Sequence, residues 1–412
     1  MGVILKGAIL IDVQNSRVIR DHAVLIEGNK IVKICKQILE VDSKQHTVLD
    51  LNGKCLIPGI INLHQHYIYK RTFGPLWSQF KLPIPVLTVR AVKNALGELK
   101  QGITTARELG SVHNIAFSLK HLINHKYILG PRLFIAGQPL AITGSHASTL
   151  SQCVDGIEEF RKWTRERVKY VDWVKTFASF DPVETGREYA RPEISKEEIQ
   201  VICEEAHKAG KKVAAHAVGT QAIRNAVEGG VDTIEHGIYL NRELANMMRD
   251  NGTALVPTLT AYTETLNPHH NRGKKWIALH APLVEPSQRG LLAALEAGVK
   301  IGMGLDSLGE LGKEAILMQK VTGLSAIEIL KIFTLNGAEI LGLGTELGSI
   351  EEGKIADLVI LDKNPLEDLA NIESVNTVIK DGEVLPVDKI NLSTRFESAE
   401  YHSLIPELLE AF

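Results

Sequence analysis

Between residues 56 and 305, short apolar or β-branched runs alternate with stretches of helical spacing. The runs fall near 56–63, 103–106, 132–136, 171–177, 213–216, 231–235, 253–257 and 299–305. Strands alternating with helices predict an α/β fold with a parallel sheet. Eight is the number that closes a (β/α)8, TIM-like barrel, whose active site lies at the C-terminal ends of the strands. The third and seventh connections begin with long loops. The clearest helix starts at Ser195, which forms a capping box with Glu198. Ile199, Ile202, Cys203 and Ala206 then share one face, and Gly210 ends it.

Both ends of the chain are rich in β patterns. Ala23–Ile26 runs into the turn Glu27-Gly28-Asn29-Lys30 and then Ile31–Ile34, the spacing of a hairpin. Ala356–Leu361 reads as a strand, and Val378-Ile379-Lys380 runs into a tight Asp381-Gly382 turn. The expected organisation is a composite β-sandwich from residues 1–55 and 348–390. A barrel over 56–347 and a polar, weakly helical tail over 391–412 complete it.

Bulk properties exclude several classes. With 44% hydrophobic and 23% charged residues in 412, the composition is that of a soluble globular protein. A net charge of −3 offers no footprint for nucleic acid or an anionic membrane. The four cysteines, Cys35, Cys55, Cys153 and Cys203, form no C-x-x-C pair and no disulfide framework. Reduced thiols and a cytoplasmic location are expected. The N-terminal stretch lacks a basic region, a long apolar core and a cleavage site, and Lys6 stands where a myristoylation signal needs Ser or Thr. No apolar run is long enough to span a bilayer.

Polar residues gather where the barrel demands them. The first run ends in His64-Gln65-His66, and residues i and i+2 of a strand share a face. The fourth run carries Lys175 in an apolar stretch. The fifth ends at His216, the sixth at His236 and the eighth at Asp306. Each has a bland alternative: a lone strand-end histidine is commonly a hydrogen-bonded structural residue, and an aspartate after a strand is commonly a helix cap. Lys175 resists that treatment, because burying an unpaired ammonium costs several kcal/mol. Six such residues on five strands point together to a metal site.

The chain resembles the amidohydrolase superfamily of metal-dependent hydrolases. The resemblance is carried by Pro58–His66, Gly102-Ile103-Thr104-Thr105, Lys175, His216, Ile234-Glu235-His236-Gly237, Asp306 and Gly348–Val359. Within it, His216-Ala217, Ile234–Gly237 and Val256-Pro257-Thr258-Leu259 are most similar to the branch of imidazolonepropionase-like enzymes and Xaa-Pro dipeptidases.

The resemblance implies two divalent metals. His64 and His66 would bind one with Asp306, His216 and His236 the other, and Lys175 would bridge both as a carbamate made from CO2 and its amine. Nitrogen and oxygen ligands suit Zn²⁺, with Zn–N near ~2.0–2.1 Å. A water shared by two such metals has its pKa lowered towards ~7. It would attack a polarised carbonyl, with Asp306 as proton acceptor and donor to the leaving amine. Cleavage of a C–N bond, amide or peptide-like, is the expected reaction. Related deaminases commonly carry Glu three residues after the fifth-strand histidine, where this chain has Gly219, and generally lack the strand-four lysine. Lactones and esters are served by the same ligand set. Dipeptidase relatives often place Tyr where this chain has Val218, which speaks against a dipeptide. At the second strand, relatives usually have Arg-Asp where this chain has Arg107-Glu108.

His146, in the loop after the third strand, is a candidate for orienting the carbonyl. Tyr69, Arg71 and Val218 are the candidate substrate contacts, with Tyr67 and Lys70 nearby. Lys70, Arg71 and Arg187 are candidates for holding a carboxylate, and the polar stretch Asn267–Lys275 for a lid. The expected partners are a small-molecule substrate and other copies of the chain in a homo-oligomer, with no nucleic acid and no membrane. A non-catalytic scaffold is the alternative class; relatives of that kind lose ligands, and all six are intact here.

Overall fold

The computed structural model describes residues 2–36, 46–69, 79–145, 147–180, 191–266, 274–306 and 309–391. It is an α/β protein. Seven principal parallel strands carry the centre: Ile60–Gln65, Ile103–Glu108, Arg132–Ile135, Trp173–Phe177, Lys212–Ala217, Thr233–His236 and Ala254–Val256, called the first to the seventh below. The first three form one parallel sheet. The last four form another, extended by the short strands Leu140–Ala141 and Gln152–Cys153.

Backbone hydrogen bonds bridge the two sheets on both sides. The Asp172 amide donates to the Ile135 carbonyl (2.9 Å), joining the third strand to the start of the fourth. On the other side, residues 300–306 run between the seventh strand and the first. Leu255 donates to Lys300 and Gly302 to Leu255 (both 2.9 Å), while Leu63 donates to Met303 and Asp306 to His64 (both 2.8 Å). This segment, expected as a strand, shows only an isolated bridge at Ile301. Its glycines permit the approach. A Cβ on Gly304 would lie 2.6 Å from Val256 and 2.8 Å from the His64 side chain.

Helices cover the outside of the parallel strands. Ser195 accepts from the Glu198 amide and Glu198 returns to the Ser195 amide, so the capping box starts the helix Lys196–Lys208 as its sequence dictates. Inside, Ile61, Leu63, Trp173, Ala214, Ala254 and Val256 pack into one apolar cluster below the polar strand ends.

The terminal strands form two further sheets. One orders Lys30–Cys35, Ala23–Glu27, Val3–Lys6 and Thr47–Asp50. The other orders Glu383–Pro386, Val375–Lys380, Leu358–Leu361, Cys55–Pro58, Ile9–Asp12 and Arg17–Ile19. Leu5, Val24 and Ile26 of the first sheet share a cluster with Leu10, Leu56, Leu358 and Ile360 of the second. Each such side chain contributes roughly 1.5–3 kcal/mol on full burial. The Asp381-Gly382 turn takes φ of 51° and 77°, as a tight hairpin between antiparallel strands requires. The apolar stretch 56–63 divides at Gly59. Cys55–Pro58 pairs with Leu358–Leu361, and only Ile60–Gln65 enters the parallel sheet. Among the described residues no disulfide is formed, and no helix is long and apolar enough to cross a membrane.

Candidate metal centre

The first strand delivers two histidines through an irregularity. Asn62 pairs with Ala106 and Gln65 with Glu108, so three steps on one strand match two on its neighbour. Such a bulge re-aims side chains. Leu63 packs inward, and His64 and His66 both turn to the interior with ring centroids 5.3 Å apart. Asn62 and Gln65 turn outward to Glu98 on the helix Ile84–Lys100, at 2.6 and 2.5 Å.

Asp306 lies between them. Its Oδ1 stands 3.7 Å from Nε2 of His64 and 3.7 Å from Nε2 of His66. His236 is 5.0 Å from His64 and 4.7 Å from His216, centroid to centroid. Ligand-type atoms of His64, His236 and Asp306 all fall within 4.8 Å of one another. Lys175 is buried on the fourth strand, two residues before Phe177, which pairs with His216. Its Nζ has no hydrogen-bond partner. Burial pushes its pKa down to about 8, against the opposing pull of Glu235.

Three of the histidines spend one nitrogen outward. Nδ1 of His64 bonds Glu235 (2.8 Å), Nδ1 of His66 bonds the Gly110 carbonyl (3.0 Å), and Nδ1 of His236 bonds the Thr258 hydroxyl (2.7 Å). A carboxylate or carbonyl accepts only, so His64 and His66 donate from Nδ1 and present an Nε2 lone pair to the interior. Burial lowers the His66 pKa, which favours the neutral ring a metal needs.

Backbone conformation does the rest. His236, Thr258 and Asp306 have φ of 73°, 47° and 48°, in the left-handed region. For non-glycine residues this costs of order 1–3 kcal/mol each and persists where surroundings enforce it. At His236 the consequence is visible. Glu235 bonds Arg107, Thr233 and His64 inside the strands, and the next residue, His236, also faces the other histidines. Regular alternation would send the second outward.

Beneath the histidines sits a network that the sequence motifs named without assigning. Arg107 donates to Leu63 O (2.7 Å), Thr233 Oγ1 (3.1 Å) and Glu235 Oε1 (2.7 Å), and its guanidinium lies 4.3 Å from the Trp173 ring centroid. Glu235 thereby ties the sixth strand to His64. The signal for it was present, since an acid in the run Val231–Glu235 is as costly as Lys175 in its own. Behind the first strand, Glu98 also accepts from the Tyr67 hydroxyl, and burial raises its pKa.

The other candidate residues fall as follows. Tyr67 is buried in that support network, its hydroxyl donating to Glu98. Tyr69 is buried in the core against Phe80, ring centroids 6.2 Å apart. Val218 is buried with Ile238 and Tyr262 beyond His216. Lys70, Arg71, His146, Arg187 and 267–273 lie outside the described residues.

Residues 55–385 match the amidohydrolase family, and the chain belongs to it. It is a hydrolase of that family with a TIM-barrel-like α/β fold, on its prolidase-like branch. The chain is 25% identical over 385 residues to ochratoxinase of Aspergillus niger, spanning 85% of this chain and 78% of that protein. It is 26% identical over 448 residues to a 5-methylthioadenosine/S-adenosylhomocysteine deaminase of Thermococcus onnurineus, spanning 94% and 95%. Among solved structures, a prolidase complexed with N-methylphosphonate-L-proline superposes with a TM-score of 0.87 at 29% identity, covering 94% of this chain and 100% of that one.

Proposed function

We propose that this hydrolase uses two divalent metals to cleave a C–N bond, amide or peptide-like, of a small molecule. The observation that carries the reading is Lys175: a buried amine without a hydrogen-bond partner, on the strand beside His216. An ammonium there is costly. Burial pushes its pKa down to about 8, which raises the share of neutral amine near neutral pH. That fraction can add CO2, releasing a proton and leaving an anionic carbamate. The carbamate has two oxygens for two cations.

The donor set fits such cations. His64, His66 and Asp306 would hold one, His216 and His236 the other, and carboxylated Lys175 both, with Zn²⁺ suited to these nitrogen and oxygen donors. Metals held by these residues would polarise a substrate carbonyl and acidify water. The chain's own part is to move the proton. Asp306 accepts it from the attacking water and delivers it to the leaving nitrogen, giving a carboxylate and an amine. His146 is assigned to orient the carbonyl.

In this reading the parallel strands form a closed (β/α)8 barrel over 56–347, supported by the hydrogen bonds on both sides of segment 300–306. Residues 1–55 and 348–390 form a composite β-sandwich, supported by the cluster shared between two terminal sheets. Residues 391–412 are a tail. The working form is a cytoplasmic homo-oligomer.

The likeness to a deaminase favours a second reading, hydrolytic loss of ammonia from a ring. Lys175 and Gly219 weigh against it. The test is hydrolysis of amides, dipeptides, lactones and aminopurines by protein dialysed against chelator, then restored with zinc and bicarbonate. Amide cleavage that needs both additions supports the proposal. Turnover of aminopurines alone overturns it.

A further inference from the structure

We propose that Thr258 is a positioning residue for the metal assigned to His216 and His236: its hydroxyl holds the His236 ring with the proton on Nδ1 and the Nε2 lone pair free for the cation. The proposal rests on the two-metal reading of the site and names what sets affinity on that side. Nδ1 of His236 and the Thr258 hydroxyl oxygen stand 2.7 Å apart. This partner differs in kind from those of His64 and His66. A carboxylate and a carbonyl only accept, whereas a hydroxyl accepts or donates. A neutral His236 ring offers Nε2 to a metal only when the hydroxyl accepts.

The local fold fixes where that hydroxyl goes. Thr258 is buried, two residues past the end of the seventh strand, with φ 47° and ψ 49°. The left-handed region is rare for a β-branched residue, whose side chain is also stiff. Two neighbours hold it there. Gly304 leaves room for the methyl: a Cβ on Gly304 would lie 3.0 Å from Cγ2 of Thr258. Glu314, on the helix Leu311–Thr322, takes the next turn, accepting from the Leu259 amide at 3.0 Å and the Thr260 amide at 2.7 Å. With the methyl beside Gly304 and the backbone tied to Glu314, the hydroxyl reaches Nδ1 of His236. The seventh strand supplies none of the six proposed ligands. Through Thr258 it nevertheless touches both the sixth-strand histidine and the segment that carries Asp306.

The test is zinc binding, by equilibrium dialysis with bicarbonate present, to the parent protein, Thr258→Val and Thr258→Ser. Valine keeps the branched shape and the methyl beside Gly304 but offers Nδ1 no oxygen. Serine keeps the oxygen and gives up the methyl. Urea denaturation of the metal-free proteins checks that both variants fold. The parent is expected to hold two zinc ions. Thr258→Val is expected to weaken the second about tenfold or more, and Thr258→Ser to stay within about threefold of the parent. Unchanged affinity in Thr258→Val, or an equal loss in Thr258→Ser, would overturn the role of the hydroxyl. A check that needs no variant is the ¹⁵N spectrum of the histidine-labelled, zinc-loaded parent, where His236 should carry its proton on Nδ1; a proton on Nε2 would overturn the proposal. A parent that holds one zinc would overturn the two-metal reading, and loss of that ion's affinity in Thr258→Val alone would still uphold the hydroxyl. No zinc bound would overturn both.

Discussion

The two sides of the centre are built by different means. Around His64 and His66 the supports are polar. Glu235, Arg107, Thr233 and the Gly110 carbonyl fix the rings, and Asn62, Gln65, Tyr67 and Glu98 brace the bulged strand behind them. Around His216 and His236 the neighbours are Phe177, Val218 and Tyr262, with the Thr258 hydroxyl as a polar brace. Fixed hydrogen bonds set ring orientation and tautomer; apolar packing excludes water and shapes a pocket. The first pair of rings is held by hydrogen bonds, the second mainly by apolar packing.

The strongest way to break this division is at Lys175, which the proposal assigns to both sides. Lys175→Met is expected to lower kcat/KM by roughly 10³-fold, about 4 kcal/mol of barrier, in a steady-state assay. In the metal-free protein the same variant removes a buried amine with no partner, so urea denaturation there should show stability unchanged or raised by about 1–3 kcal/mol. A destabilised variant with activity retained would make Lys175 a structural residue.

Glu235→Gln sharpens the polar side. It weakens the acceptor at His64 Nδ1 and unbalances Arg107, so metal affinity should fall about 10–100-fold by equilibrium dialysis. Tyr67→Phe acts one step further back. It takes one of three side-chain donors from buried Glu98, at about 1–3 kcal/mol by chemical denaturation, with metal content unchanged.

The smallest expected effect lies behind the apolar side. Glu314 accepts from the Leu259 and Thr260 amides and the Thr260 hydroxyl, holding the helix that carries Tyr262. Burial raises its pKa from 4.5 to about 6. The folded protein therefore binds more protons than the unfolded chain between about pH 4.5 and 6, and stability falls as pH rises through that window. The shift corresponds to about 2 kcal/mol. Measured against Glu314→Gln across pH 4–8, the stability difference should slope between 4.5 and 6 and flatten above 7.

What could be read in the sequence was what chemistry writes locally. The spacing of His64 and His66 is a two-residue fact, and Lys175 is conspicuous because its neighbours are apolar. The Ser195 capping box and the Asp381-Gly382 turn are likewise spelled out over a few residues. The division of 56–63 at Gly59 was not legible, because both halves are apolar and only their pairing partners differ. Glu98 lies far along the chain from His64, on a helix face chosen by packing. The left-handed φ values at His236 and Asp306 carry no glycine to announce them. Tyr262 and Val218 meet only because the fold brings the strand ends together.

Metal stoichiometry tests the proposed two-metal centre most directly. Elemental analysis of protein produced with zinc and bicarbonate should give two metals per chain, and Lys175→Met should hold fewer. One metal in the parent protein, or a count unchanged by Lys175→Met, would contradict a carbamate-bridged pair. No metal at all would contradict the centre itself.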